Sequence, residues 1–274
     1  MSLRHVVLFR CSLAEEGELG AVRTHFDVHE SRMTLPTNSV VIGRYSVLPY
    51  YLELENDLKH VGSRLINSFK EHSYVADLGS YIEDLGDITP RTWPSLDVVP
   101  KDAGPFVLKG ATNSKKWQWN THMYARTWND AMGVYLRLSE DGLIGSQRIY
   151  VREYVPLKRL WTSFSGTPIT KEFRFFVIDD VIIGSSFYWD SFAQDIVEQG
   201  GMVPSSNEVP DEFLREAMRR VWGRCPFYVM DVAQAEDDRW LVIELNDGQM
   251  SGLSGIDPQA LYSNMKRVLV NGKL

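Results

Sequence analysis

Two apolar runs late in the chain, Tyr228-Val229-Met230-Asp231-Val232 and Leu241-Val242-Ile243-Glu244-Leu245-Asn246-Asp247, constrain the fold more than any other feature. Both are rich in β-branched residues and the polar stretch 234–239 separates them, so they predict a hairpin. Each exposes hard oxygen ligands where its alternation breaks: Asp231 on one strand faces Glu244 and Asn246 on the other. Mg2+ takes a few such oxygens, keeps several waters and is commonly shared with substrate phosphates, so the trio suits a nucleotide-bound metal. A hairpin with ordinary surface acids is the alternative.

Composition narrows the class. At 274 residues, 44% hydrophobic and 24% charged, the chain can bury a sizeable core and divides into two domains by length. A formal net charge of -7 gives no general reason to bind nucleic acid or an anionic membrane, and neither is expected as a partner. Cys11 and Cys225 lie far apart without CxxC or Cys/His spacing, which argues for a reducing compartment and against zinc. The apolar run 6–9 is too short for a signal core or a membrane span, so a cytoplasmic protein is expected.

Segments 6–9 and 40–48 predict strands, and Leu54, Leu58, Val61, Leu65 and Phe69 fall at helical spacing within 53–72. Pro90, Pro94, Pro100 and Pro105 interrupt regular structure and mark a domain seam near residue 97, giving units 1–97 and 98–274. Strands are then expected at 105–109, 147–157, 171–178 and 181–189. Helices are expected at 211–222 and after Asp257-Pro258, where an N-cap aspartate precedes proline at the first helical position.

Charges within these strands suggest a site. Lys109 ends an apolar run just before Ala111-Thr112-Asn113-Ser114-Lys115-Lys116, a loop of small residues, hydroxyls and lysines suited to polyphosphate. A solvated strand-end lysine is the alternative. No GxxxxGK[ST] is present, so this is not a Walker A loop. In Val151-Arg152-Glu153-Tyr154-Val155-Pro156 the proline stops a strand, and the connector offers free backbone groups for a base edge. Glu153 can accept from an exocyclic amine or a ribose hydroxyl there; a salt-bridged Arg-Glu edge strand is the other reading. Strand 171–178 puts Phe173, Phe175 and Val177 on one face and Glu172, Arg174 and Phe176 on the other. The Arg174 guanidinium there fits a phosphate or a carboxylate, or else pairs structurally with Glu172. His25 and His29 lack an HExxH pattern, Ser163 and Ser165 lack a GxSxG elbow, and the kinase HRD and DFG motifs are absent.

The ordered set of lysine strand and loop, acidic connector, Glu-x-Arg strand, Asp strand and Glu-x-Asn strand resembles the ATP-grasp superfamily over residues 98–255. Glu172-Phe173-Arg174, Phe187-Tyr188-Trp189 and Glu244-Leu245-Asn246-Asp247-Gly248 look like the compact ATP-grasp proteins of bacteria and phages, and are also similar to the cell-division-cycle 123 family. The resemblance implies an α+β ATP-grasp fold, two subdomains clamping ATP, preceded by a small α/β domain. It implies Lys109 and one of Lys115 or Lys116 on phosphates, and Glu153, Tyr154 and Val155 at the adenine and ribose. It further implies Arg174 at the γ-phosphate or acyl phosphate, and magnesium on Asp231, Glu244 and Asn246. The implied activity is an ATP-dependent ligase joining a small-molecule or peptide carboxylate to an amine, with an ATP-binding assembly factor as the alternative.

Overall fold

The computed structural model describes residues 3–14, 17–163 and 166–271; Ser165 lies outside the described residues. The first unit is a four-stranded parallel sheet of β1 (Arg4–Leu8), β2 (Asp27–His29), β3 (Ser39–Ile42) and β4 (Arg64–Leu65), in the order β2-β1-β3-β4. Helix α1 (Glu18–His25) connects β1 to β2, and α2 (Tyr51–His60) connects β3 to β4. Val6, Val7, Val40, Val41 and Ile42 are fully buried, the unbroken apolar run that a sheet covered on both faces requires.

Two expectations fail here for local reasons. The strand expected over 40–48 stops at Ile42 and turns, with Tyr45 at a φ of 56°. The helix expected over 53–72 ends at His60. Gly62 then takes a φ of +69°, where an added Cβ would lie 2.5 Å from the Asn38 side chain, and Leu65 joins the sheet as β4 instead of continuing the helical face. A new helix, α3 (Phe69–Ala76), starts behind a Ser68/Glu71 capping box, and α4 (Leu78–Leu85) follows.

The proline-rich stretch contributes the short β5 (Thr92–Trp93) to an antiparallel sheet with β6 (Phe106–Gly110), β7 (Tyr124–Ala125) and β8 (Ile149–Glu153), ordered β5-β8-β6-β7. Helix α5 (Trp128–Ser139) covers it through Ala131, Val134 and Leu138. After the small pair β9 (Arg159–Thr162) and β10 (Pro168–Thr170) comes the large antiparallel sheet. It comprises β11 (Glu172–Ile178), β12 (Val181–Phe187), β13 (Phe227–Gln234) and β14 (Trp240–Asp247), ordered β12-β11-β13-β14. Between its strands lie α6 (Ala193–Glu198) and α7 (Asp211–Arg220), and α8 (Pro258–Asn271) closes the chain, its first turn capped by Asp257. Among the described residues no helix is long and apolar enough to cross a membrane.

The two faces of the large sheet divide the work. Phe173, Phe175, Val177, Met230, Val232, Val242 and Leu245 pack under α4 and α7. On the other face Phe176, Ile178, Phe227 and Val229 join α8 and the N-terminal sheet in one core, and the remainder of that face, from Glu172 to Asp231 and Glu244, carries charges.

Buried polar groups fasten the N-terminal unit to the loop that follows β14. Arg44, fully buried, pairs with Glu18 at 2.7 Å and donates to the Gly248 carbonyl at 2.5 Å and the Ser251 carbonyl at 3.1 Å. Asn67 brackets Phe227 like a strand partner, accepting from its N–H at 2.9 Å and donating to its carbonyl at 2.6 Å. The Asn67 amide also donates to Asp247 at 2.8 Å. Gly248 lies where these contacts meet, and a Cβ there would lie 2.6 Å from the buried Phe227 ring. Gly248→Ala is therefore expected to cost about 1–3 kcal/mol of stability, a drop of several degrees in melting temperature. Gly142→Ala, which meets nothing within 4 Å, should leave thermal unfolding unchanged.

Candidate functional site

Strand register assembles the site. Ser186, Arg174, Asp231 and Glu244 are successive register partners across β12, β11, β13 and β14, so their side chains form one row on one face. Glu172 flanks this row on β11 and Asn246 flanks it on β14. Facing the row is the smaller sheet, and between the two runs a cleft lined by Lys109, Lys116, Arg152, Glu153, Tyr154, Val155, Glu172, Ile243 and Glu244, with Val107, Trp119, Met123 and Leu157 as apolar wall. An apolar slot with a few convergent polar groups is how a small-molecule site is built.

The charges cross-pair. The ammonium of Lys109, at the end of β6, reaches across the cleft to the Glu244 carboxylate. Burial works against this carboxylate, but the Lys109 and Lys116 ammonium groups hold it down at about 2. Arg174 grips Asp231 with two parallel hydrogen bonds of 2.9 Å and donates a third, of 3.0 Å, to the Gly252 carbonyl. It makes no pair with Glu172, so the structural Glu-Arg alternative is set aside. Lys116 donates to the Tyr188 hydroxyl at 2.7 Å, whereas Lys115 turns away to pair with Asp141 at 2.6 Å and does not line the cleft.

In the connector, Glu153 N–H donates to the Arg91 carbonyl and Tyr154 N–H to the Pro105 carbonyl, at 2.8 and 2.9 Å. Of the three residues assigned to a base edge, Val155 alone keeps a backbone N–H without a partner among the described residues. Arg152 is not an edge-strand partner of Glu153. It points inward, donating to the Ile243 carbonyl at 2.7 Å and to Thr89 Oγ1 at 2.8 Å, and so fastens β8 to β14. Trp119 lines the cleft and stacks on Tyr124, while Trp117 is largely exposed.

Sequence reasoning gave Glu172 no role in the site. It is only 3% exposed, lines the cleft, and its Oε1 has no hydrogen-bond partner among the described residues. Its position on the charged face of β11 was the one signal that could have pointed to it. Burial raises its carboxyl to about 7; Lys116 opposes this, and the charges of Asp231 and Glu244 push it further up.

These features match a known family over residues 95–265, the ATP-grasp domain, clade family 3. The chain belongs to this ATP-grasp family. No curated protein matches the sequence. Solved ATP-grasp structures share the fold over nearly the whole chain. The D-cycloserine synthetase DcsG superposes with a TM-score of 0.62 at 14% identity, covering 97% of this chain and 99% of its own. The ATP-grasp ligase PsnB, complexed with precursor peptide PsnA2 and AMPPNP, gives 0.59 at 12% identity, covering 98% of both chains. The macrocyclase MdnC from Microcystis aeruginosa, bound with precursor peptide MdnA, gives 0.55 at 11%, covering 98% of this chain and all of its own. In the ATP-grasp frame the cleft between the two antiparallel sheets is the nucleotide site.

The elevated Glu172 carboxyl makes a pH signature. Its value of about 7 in the fold exceeds its ordinary 4.5, so between these limits the folded protein binds more protons than the unfolded chain. Stability from this group is therefore present at low pH and lost as pH rises through about 7. Glu172→Gln, which mimics the protonated form, should match the wild type near pH 5. At pH 8 it should exceed the wild type by roughly 3 kcal/mol, read as a melting-temperature gap that opens with pH.

Proposed function

We propose that this ATP-grasp protein is an ATP- and Mg2+-dependent ligase that joins a carboxylate to an amine through an acyl phosphate. The observation that carries the proposal is the convergence of Lys109, Lys116 and Arg174 with Asp231, Glu244 and Asn246 along one cleft. In this reading Val155 and its neighbours Glu153 and Tyr154 hold the adenine and ribose, Lys109 and Lys116 hold phosphates, and Arg174 faces the transferring phosphoryl group. The seam near residue 97 then separates a substrate-selecting N-terminal unit from the ATP-grasp unit, and the family match beginning at residue 95 supports it.

The residues present fit a magnesium ion. Among the described residues no three His, Cys, Asp or Glu side chains cluster as a ready-made metal site. Asp231 and Glu244 are nevertheless register partners, and the third donor, Asn246, is an amide that such clusters leave out. All three offer the hard oxygens magnesium selects. When bound, the metal supplies charge neutralisation between phosphates. The protein's own contribution is an exchange of partners: Lys109 and Arg174 are held by Glu244 and Asp231, and moving these cations onto phosphates releases both carboxylates. Each exchange keeps the buried charges paired, so the protein needs little reorganisation.

The chemistry divides into two displacements. A substrate carboxylate oxygen bonds to the γ-phosphorus as ADP leaves. The amine nitrogen then bonds to the acyl carbon as phosphate leaves, with one proton released. Because PsnB and MdnC are structures with precursor peptides, peptides are the first substrates to test. With ATP and Mg2+, ADP and phosphate release should require both an acid and an amine. ATP binding with no release under any acceptor would instead favour the assembly-factor alternative.

The two loop lysines offer a sharper test of the site. Lys116→Ala removes a charge from the cleft wall and should weaken Mg·ATP binding about 10- to 150-fold, the cost of a charge-assisted contact. Lys115→Ala, whose charge serves only Asp141, should change it less than about threefold. Equal effects in calorimetric titrations would remove Lys116 from the nucleotide site.

A further inference from the structure

We propose that Tyr188 is a positioning residue that sets both cations of the phosphate site at once; the proposal rests on the nucleotide reading above. Tyr188 directly follows β12, and its backbone N–H donates to the Glu172 carbonyl at 2.9 Å, which fixes it beside the charged row. Its hydroxyl accepts from Lys116 Nζ at 2.7 Å. Its ring lies under the Arg174 guanidinium, 4.8 Å from centroid to Cζ, and 4.2 Å from Lys116 Nζ. One phenol therefore touches a lysine from the loop after β6 and an arginine of β11, on opposite sides of the cleft.

Neither cation is well placed without it. Lys116 is buried and has no carboxylate within ion-pair distance among the described residues; the phenol oxygen accepts its one hydrogen bond. An uncompensated ammonium on a flexible stem would turn to solvent, and holding it inward supplies the pre-organisation that phosphate binding needs. The Tyr188 ring face meanwhile limits Arg174 to the plane in which its fork meets Asp231, and stacking on an aromatic face suits a guanidinium. Because Lys116 comes from a loop of the smaller sheet and Tyr188 from the larger one, the contact also sets how closely that loop approaches the cleft.

The test is a double-mutant cycle on the full chain, reading Mg·ATP affinity by calorimetry, turnover and melting temperature. Tyr188→Phe keeps the ring and loses the hydroxyl, so affinity should fall about tenfold with little thermal change. In a Lys116→Ala background the same substitution should cost nothing further in affinity, because the hydroxyl acts through the lysine. Tyr188→Leu removes the ring as well, and turnover should then fall beyond the loss of affinity as Arg174 loses its platform. Wild-type affinity and turnover in Tyr188→Phe, or a full additional loss in the Lys116→Ala background, would overturn the assignment. A wild-type protein that binds no Mg·ATP would overturn the nucleotide reading as well, which separates the two failures.

Discussion

The cleft depends on keeping buried charge compensated. Lys109, Arg152, Glu172 and Asp231 are each at least nine-tenths buried, and an isolated ion removed from water costs several kcal/mol. The structure meets this cost by opposing signs across the gap between two sheets: Lys109 with Glu244, and Arg174 with Asp231. These pairs also hold the sheets at the separation that makes a slot. The one group left without a full complement, Glu172, responds by holding its proton to about 7.

This arrangement explains why the resting site is ready for a ligand of many negative charges and a divalent cation. Cations stored on acids need not be solvated when no ligand is present, and the acids become available as the cations move. Electrostatic pre-organisation of this kind is what phosphoryl transfer asks of a protein. The surroundings are correspondingly firm. Arg44 and Asn67 of the N-terminal unit fix the ends of β13 and β14, and the loop fixed by Arg44 presents the Gly252 carbonyl to Arg174. The N-terminal unit therefore supports the site from behind, through main-chain carbonyls.

Much of the large sheet was legible in the sequence, because period-two alternation is a local property. Strands β11, β12, β13 and β14 lie close to their expected positions, and the pairing of Asp231 with Glu244 follows from the hairpin alone. The helix at α7 and the capped start of α8 were equally local. The expectation at 53–72 failed because five apolar residues at helical spacing cannot reveal that Gly62 turns the chain and that the edge of β3 captures Leu65.

The sequence by itself determined which residues carry oxygen and nitrogen ligands, their order along the chain, and the faces on which alternation places them. Only the tertiary structure decided which of two adjacent lysines enters the cleft, that Arg174 serves Asp231 and not Glu172, and that Tyr188 lies between Lys116 and Arg174. The reason is physical: alternation and capping act over a few residues. The partner of a buried charge, by contrast, is set by whichever opposite charge or dipole the packing of distant strands brings within about 3 Å.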